Sequence, residues 1–150
     1  MMSPEAWTAL MPWIVLTGGL MIVLLATAFI RRHVVALGLT ALSFAATLFV
    51  TGDAIAVGSQ SISGFMVIDG YAHFFNCLFI LAAIATAFLG YRYLETRVRS
   101  QEEFYILLIC ATLGAMTMAG AAHFASFILG LEILSISLYA MIAYPERDTA

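Results

Sequence analysis

Glu132 sits within GLEILSISLYAMIAY, Gly130 to Tyr144, a run that is otherwise apolar apart from a few hydroxyl groups. An acidic residue near the centre of a lipid-spanning helix costs about 2.5 to 3.5 kcal/mol on insertion scales, so it must be protonated, hydrated or paired. Ser135 and Tyr139 follow at i+3 and i+7 and share its helical face, whereas Ser137 points elsewhere on the wheel. In a low dielectric, desolvation favours the protonated form of a carboxyl and a nearby cation favours the charged form. The charge can then follow movement of the cation, which is the physics of a proton relay. A permanently protonated glutamic acid that hydrogen-bonds neighbouring helices is the other reading open at this point. The chain has no lysine, and no arginine falls inside an apolar run. A cationic partner for Glu132 must therefore come from outside these 150 residues.

The remaining polar residues suggest quieter roles. Asp69, in VIDGY, stands where the chain starts its third apolar run and is placed to cap that helix. His73 and His123 are expected at the membrane interface in hydrogen-bonded positions, and Asn76 and Thr86 as packing donors. Glu95, Glu102 and Glu103 read as a solvated surface, with Glu102 and Glu103 also favouring the start of a helix through its dipole. Cys77 and Cys110 lie in apolar runs without CxxC or metal-type spacing and read as reduced, packed thiols. The sequence contains no HExxH, GxSxG, P-loop or His/Cys cluster, so no metal or cofactor site is expected in this chain.

The elements that must hold Glu132 are membrane helices. Of the 150 residues 63% are hydrophobic and 10% charged, with a mean hydropathy of +1.03. Apolar runs of about 20 residues recur, each long enough to cross roughly 30 Å of hydrocarbon as a helix. They do not alternate as barrel strands would. The fold class is an all-α polytopic bundle in the lipid bilayer, and no basic patch points to nucleic acid. Hydropathy predicts five spans: 11–30, 34–50, 71–91, 104–122 and 124–144. Residues 1–100 hold three leading helices and an outer loop, 51–70, with room for an extended or re-entrant piece. Residues 101–150 hold a helical hairpin carrying Glu132. Small residues spaced by four, Ala82, Thr86 and Gly90 on span three and Ala111, Ala115 and Ala119 on span four, suggest close helix contacts. Trp7, Trp13, Tyr71, Tyr91, Tyr93, Tyr105 and Tyr144 are expected to form interfacial belts.

Five spans place Arg31, Arg32, Arg92, Arg97, Arg99 and Arg147 on one side, which predicts an outside N-terminus and a cytoplasmic C-terminus. Glu5, and the lack of Lys or Arg in the first ten residues, argue that the first span is retained rather than cleaved as a signal peptide.

The segment EEFYILLICATLGAMTMAGAAHFASFILGLEILSISLYAMIAY, residues 102–144, resembles the fourth and fifth membrane helices of the subunit N family of the proton-pumping NADH:quinone oxidoreductase, respiratory complex I. MVIDGYAHFF resembles that family's aspartate-led third helix. The resemblance implies an antiporter-like fold of about fourteen helices with two inverted five-helix repeats. This chain would supply the three leading helices and the start of the first repeat, ending at PERDTA as a truncated subunit, a split-gene half or a fragment. The resemblance also implies that Glu132 pairs with a lysine on a later helix. It implies membership of a translocase (EC 7.1.1 type) in the bacterial inner membrane, with subunits K and M as neighbours, and with FMN, iron-sulfur clusters and quinone held by other subunits. Two alternatives stay open: a non-pumping structural or assembly module, and a related L or M subunit or cation/proton antiporter.

Overall fold

The structure is a computed structural model that describes residues 4–97 and 101–143. Five helices follow one another: α1 (Pro4–Phe29), α2 (His33–Ala56), α3 (Gly70–Arg97), α4 (Glu102–Ala119) and α5 (Phe124–Ala143). All five are long and apolar enough to cross a membrane. In lipid a helix satisfies its peptide groups internally, so repeated apolar runs have few other solutions.

Most boundaries lie further out than hydropathy suggests. α1 begins at Pro4 rather than Met11, α2 runs on to Ala56 and α3 to Arg97. Helical hydrogen bonding has no reason to stop where the apolar run stops, and proline suits a first helical turn because that turn's N–H groups lack helical partners anyway. α4 is shorter than expected, ending at Ala119. Gly120 N–H closes the helix onto the Met116 carbonyl, and the next residues turn to pair with a strand.

The 51–70 segment is resolved into the end of α2 and a two-stranded antiparallel ribbon. β1 (Gln60–Ile62) pairs with β2 (Met66–Ile68), and Ile62 lies opposite Met66. Positive φ at Ser63 (51°) and Gly64 (72°) makes the tight turn whose twist suits a hairpin, and Phe65 N–H closes it onto the Ile62 carbonyl at 3.0 Å. The ribbon then clasps the α4–α5 turn. Val67 N–H donates to the Gly120 carbonyl at 2.9 Å, Ala122 N–H to the Phe65 carbonyl at 3.0 Å, and Ser126 Oγ to the same carbonyl at 2.8 Å.

Leu16, Leu20 and Val23 of α1, Phe44 of α2, Ile80 of α3, and Tyr105, Ile109 and Met116 of α4 form the core. α1 and α2 approach so closely that a Cβ added at Gly19 would lie 2.6 Å from Ser43 Cβ. On α3 the small residues facing inward are Ala83 and Ala87. Ala82 and Thr86 face outward, and Thr86 donates to the Ala82 carbonyl on its own helix. This corrects the small-residue ridge expected on α3. The four-residue spacing fits two adjacent stripes of the helix, and only the neighbouring helices decide which one is buried. Gly90 does approach α4, where an added Cβ would lie 3.3 Å from the Phe104 ring.

Candidate functional site

α4 and α5 cross at two glycines. A Cβ at Gly114 would lie 2.6 Å from Leu134 N and 2.8 Å from the Gly130 carbonyl oxygen, and one at Gly130 would lie 2.8 Å from Met118 N. Each helix thus touches the backbone of the other, an approach open only to residues without a side chain. On α4 this backbone contact is made at Gly114, beside the Ala111, Ala115 and Ala119 ridge, of which Ala111 is buried.

This crossing decides where Glu132 points. Gly130, Ser126 and Ser137 are the buried residues of α5. Glu132 is two residues from Gly130, roughly 200° around the helix, so it faces the opposite way. Tyr139 lies on that same outward face, 70% exposed, and Ser135 sits half-buried at its edge. Ser137 turns inward and donates to the Ile133 carbonyl at 2.7 Å. Glu132 is exposed, and no hydrogen bond or ion pair joins it to another side chain among the described residues. Its surroundings on α5 are apolar and equally open, with Leu129, Leu131, Ile136 and Leu138 all exposed.

Asp69 immediately precedes the first residue of α3. Its Oδ1 accepts from Ala72 N–H at 2.9 Å, the geometry of an N-terminal cap for α3. His123 stays near the surface at the α4–α5 turn, where its ring Nδ1 accepts from Ala125 N–H at 3.1 Å and its edge meets Phe65. His73 departs from expectation. It is 3% exposed rather than interfacial, and neither ring nitrogen has a hydrogen-bond partner. Asn76 is fully buried and makes no hydrogen bond through its amide, so it is not the packing donor expected. Both residues lie on the inward stripe of α3 with Ala72, Ile80 and Ala83, and helix periodicity alone does not reveal that choice of face.

Tyr105 is also corrected, from interfacial belt to core. It is fully buried and shares a 2.6 Å hydrogen bond with His33 Nε2. His33 stacks on Tyr91 with ring centroids 4.3 Å apart. These three rings fasten the start of α2, the end of α3 and the start of α4 together. Gln101 Nε2 adds a bond to the Leu94 carbonyl at 3.1 Å. His33 was not singled out by sequence reasoning; its signal was a histidine opening an apolar run, opposite a tyrosine opening another. Trp7, Tyr71 and Tyr93 are half-exposed or more, as an interfacial residue requires. Tyr144, Arg99 and Arg147 lie outside the described residues.

Both cysteines are free and partly buried. Among the described residues no group of three or more His, Cys, Asp or Glu side chains is arranged to hold a metal ion. Among the described residues, the membrane-depth group with an ionisable side chain on an open face is Glu132 with Ser135 and Tyr139.

Over 146 residues, 97% of its length, the chain is 40% identical to NADH-quinone oxidoreductase subunit N of Methylococcus capsulatus. The chain is homologous to part of subunit N. It spans 30% of that relative's length. No family model matches the chain. Five apolar helices and homology to subunit N together make it a multi-pass membrane protein.

Proposed function

We propose that this chain forms the leading part of a proton-translocating subunit N of NADH:quinone oxidoreductase, with Glu132 as one half of a buried charge pair. The observation that carries this is the outward face of α5. The homology extends through a helix whose single carboxylate is turned away from every helix it packs against, toward ground that further helices would occupy. A carboxylate there, with Ser135 and Tyr139 beside it, is placed to meet a lysine supplied from beyond these 150 residues. Approach of that cation stabilises the charged carboxylate and its withdrawal favours proton uptake, so a displacement or charge signal becomes a proton transfer.

NADH oxidation at FMN and iron-sulfur centres and quinone reduction would occur in other subunits, and the chain itself would hold no cofactor. Subunits K and M would flank it in a bacterial inner membrane, with the ribbon end outside and the Arg31/Arg92 end cytoplasmic, following the arginine bias. Asp69 acts structurally in this scheme, as the cap of α3.

The test is Glu132→Gln in the complete subunit within its complex. The expected result is normal assembly with depressed proton pumping per NADH oxidised, while wild-type coupling would reject the role. A second reading, a non-pumping structural or assembly module, draws on the absence of a cation near Glu132 among the described residues. It predicts that the substitution changes neither pumping nor quinone-linked NADH oxidation.

A further inference from the structure

Away from Glu132, a cleft of about 190 Å³ opens among the described residues between the end of α1 and the start of α4. One water needs only roughly 15 Å³, so the cleft has room for a polyatomic group. Its walls change character with depth. Leu24, Thr27 and Ala28 share one face of α1, and Ile106 lines the same space from α4. Thr27 is buried and its hydroxyl donates to the Leu24 carbonyl at 3.0 Å, so that wall offers no free polar hydrogen. Toward the helix ends stand Arg31, just past the close of α1 at Phe29, and Glu102 and Glu103, which open α4. Glu102 lies one helical turn, about 6 Å, from Ile106, and Ala28 lies the same distance from Leu24. The cleft therefore runs from a charged rim at the ends of two membrane spans to an apolar floor within them.

The rim holds both signs of charge without closing on itself. Arg31 and Glu103 are exposed and Glu102 is half-buried, yet among the described residues no hydrogen bond or ion pair joins the guanidinium to either carboxylate. The occupant that matches carries a negative and a positive group side by side, with an apolar body below. A soluble zwitterion lacks that body and would leave the floor uncovered. A lipid whose headgroup bears phosphate alone would set its anion on Arg31 but face two carboxylates at close range, and like charges repel. A quaternary ammonium has no N–H to donate, whereas a primary ammonium has three, enough for both carboxylates.

We propose that this cleft binds a phospholipid whose headgroup ends in a primary ammonium, with its phosphate on Arg31 and its ammonium on Glu102 and Glu103. The first methylenes of its chains run along Leu24 and Ala28, both exposed on α1. The site is drawn from the α1–α4 cleft and the membrane-spanning character of the two helices, so it stands or falls separately from the role of Glu132.

The test uses native membranes containing the whole protein and three photoreactive phospholipids. Their chains are identical, each carries a diazirine next to the headgroup, and the headgroups end in ethanolamine, choline or glycerol. Mass spectrometry reads the labelling of the peptides that contain Thr27 and Ile106. The ethanolamine probe should label both about three- to fivefold more than the glycerol probe, the size expected for half-exposed charge pairs, with the choline probe between them. Glu102→Gln combined with Glu103→Gln should erase that preference, and Arg31→Gln should lower labelling by all three probes. Equal labelling by the three probes in the wild-type protein overturns the proposal whatever the variants do. So does a preference that survives the paired glutamine substitution. Labelling of neither peptide by any probe also overturns it, because the cleft is then closed to lipid.

Discussion

α4 and α5 are adjacent, similar in length and both apolar, yet they occupy different surroundings. In α4, 39% of the membrane-spanning window is buried, against 17% in α5. α4 packs on α1, α2, α3 and α5, while α5 packs chiefly on α4. Among the described residues the carboxylate nearest the middle of a span, Glu132, lies on the less covered helix, and on its uncovered side. Helix composition therefore does not tell a span covered on several sides from one with an open face. The difference is which face the backbone contact consumes, and here the Gly114–Gly130 crossing consumes the face opposite Glu132.

The sharpest way to break that difference is to remove the crossing. Gly114→Leu or Gly130→Leu would drive a side chain into the facing backbone, so the hairpin should fail to form and the protein should not accumulate in membranes. The milder Gly114→Ala should destabilise it by about 1–3 kcal/mol, measured by thermal unfolding in detergent. Next comes the open face. Glu132→Gln should leave that thermal transition unchanged and lower pumping-linked turnover by about tenfold, equivalent to about 1.4 kcal/mol. A variant that lost stability instead would show that α5's outer face is already packed.

Smaller effects fall on the three leading helices and on the start of α4. Asp69→Ala removes the α3 cap and should cost about 1 kcal/mol, with Asp69→Asn costing less, in the same unfolding measurement. Tyr105→Phe removes the hydroxyl bonded to His33 and should cost about 0.5–1.5 kcal/mol. At the low end, Gly18 has open space around it while Gly19 lies against Ser43. Gly18→Ala should be neutral or stabilising by up to about 1 kcal/mol through helix propensity, and Gly19→Ala should destabilise.

Much of this was legible in the sequence because lipid imposes simple rules. Apolar length located the five helices, a lone acidic residue in such a run singled out Glu132, and the i+3 and i+7 spacing put Ser135 and Tyr139 close to its direction. What was not legible depends on partners distant in the chain. The His33–Tyr105 bond joins residues 72 apart, and neither residue alone announces it. The buried stripe of α3 could have been that of Ala82 or that of Ala83, and only the positions of α2 and α4 choose between them. The ribbon strands are three residues each, too short for alternation to register against the Gly- and Ser-rich background. Helix ends were misplaced wherever the helix continues past its apolar stretch.

The clasp between the ribbon and the α4–α5 turn is made largely by peptide groups, whose carbonyl every residue possesses and whose amide hydrogen every residue but proline possesses. Amino-acid identity at Val67 and Ala122 is thus free to drift without loosening those bonds, provided no imino acid arrives at either, since the clasp needs their amide hydrogens. A seam of this kind would persist between relatives whose side chains there no longer look alike.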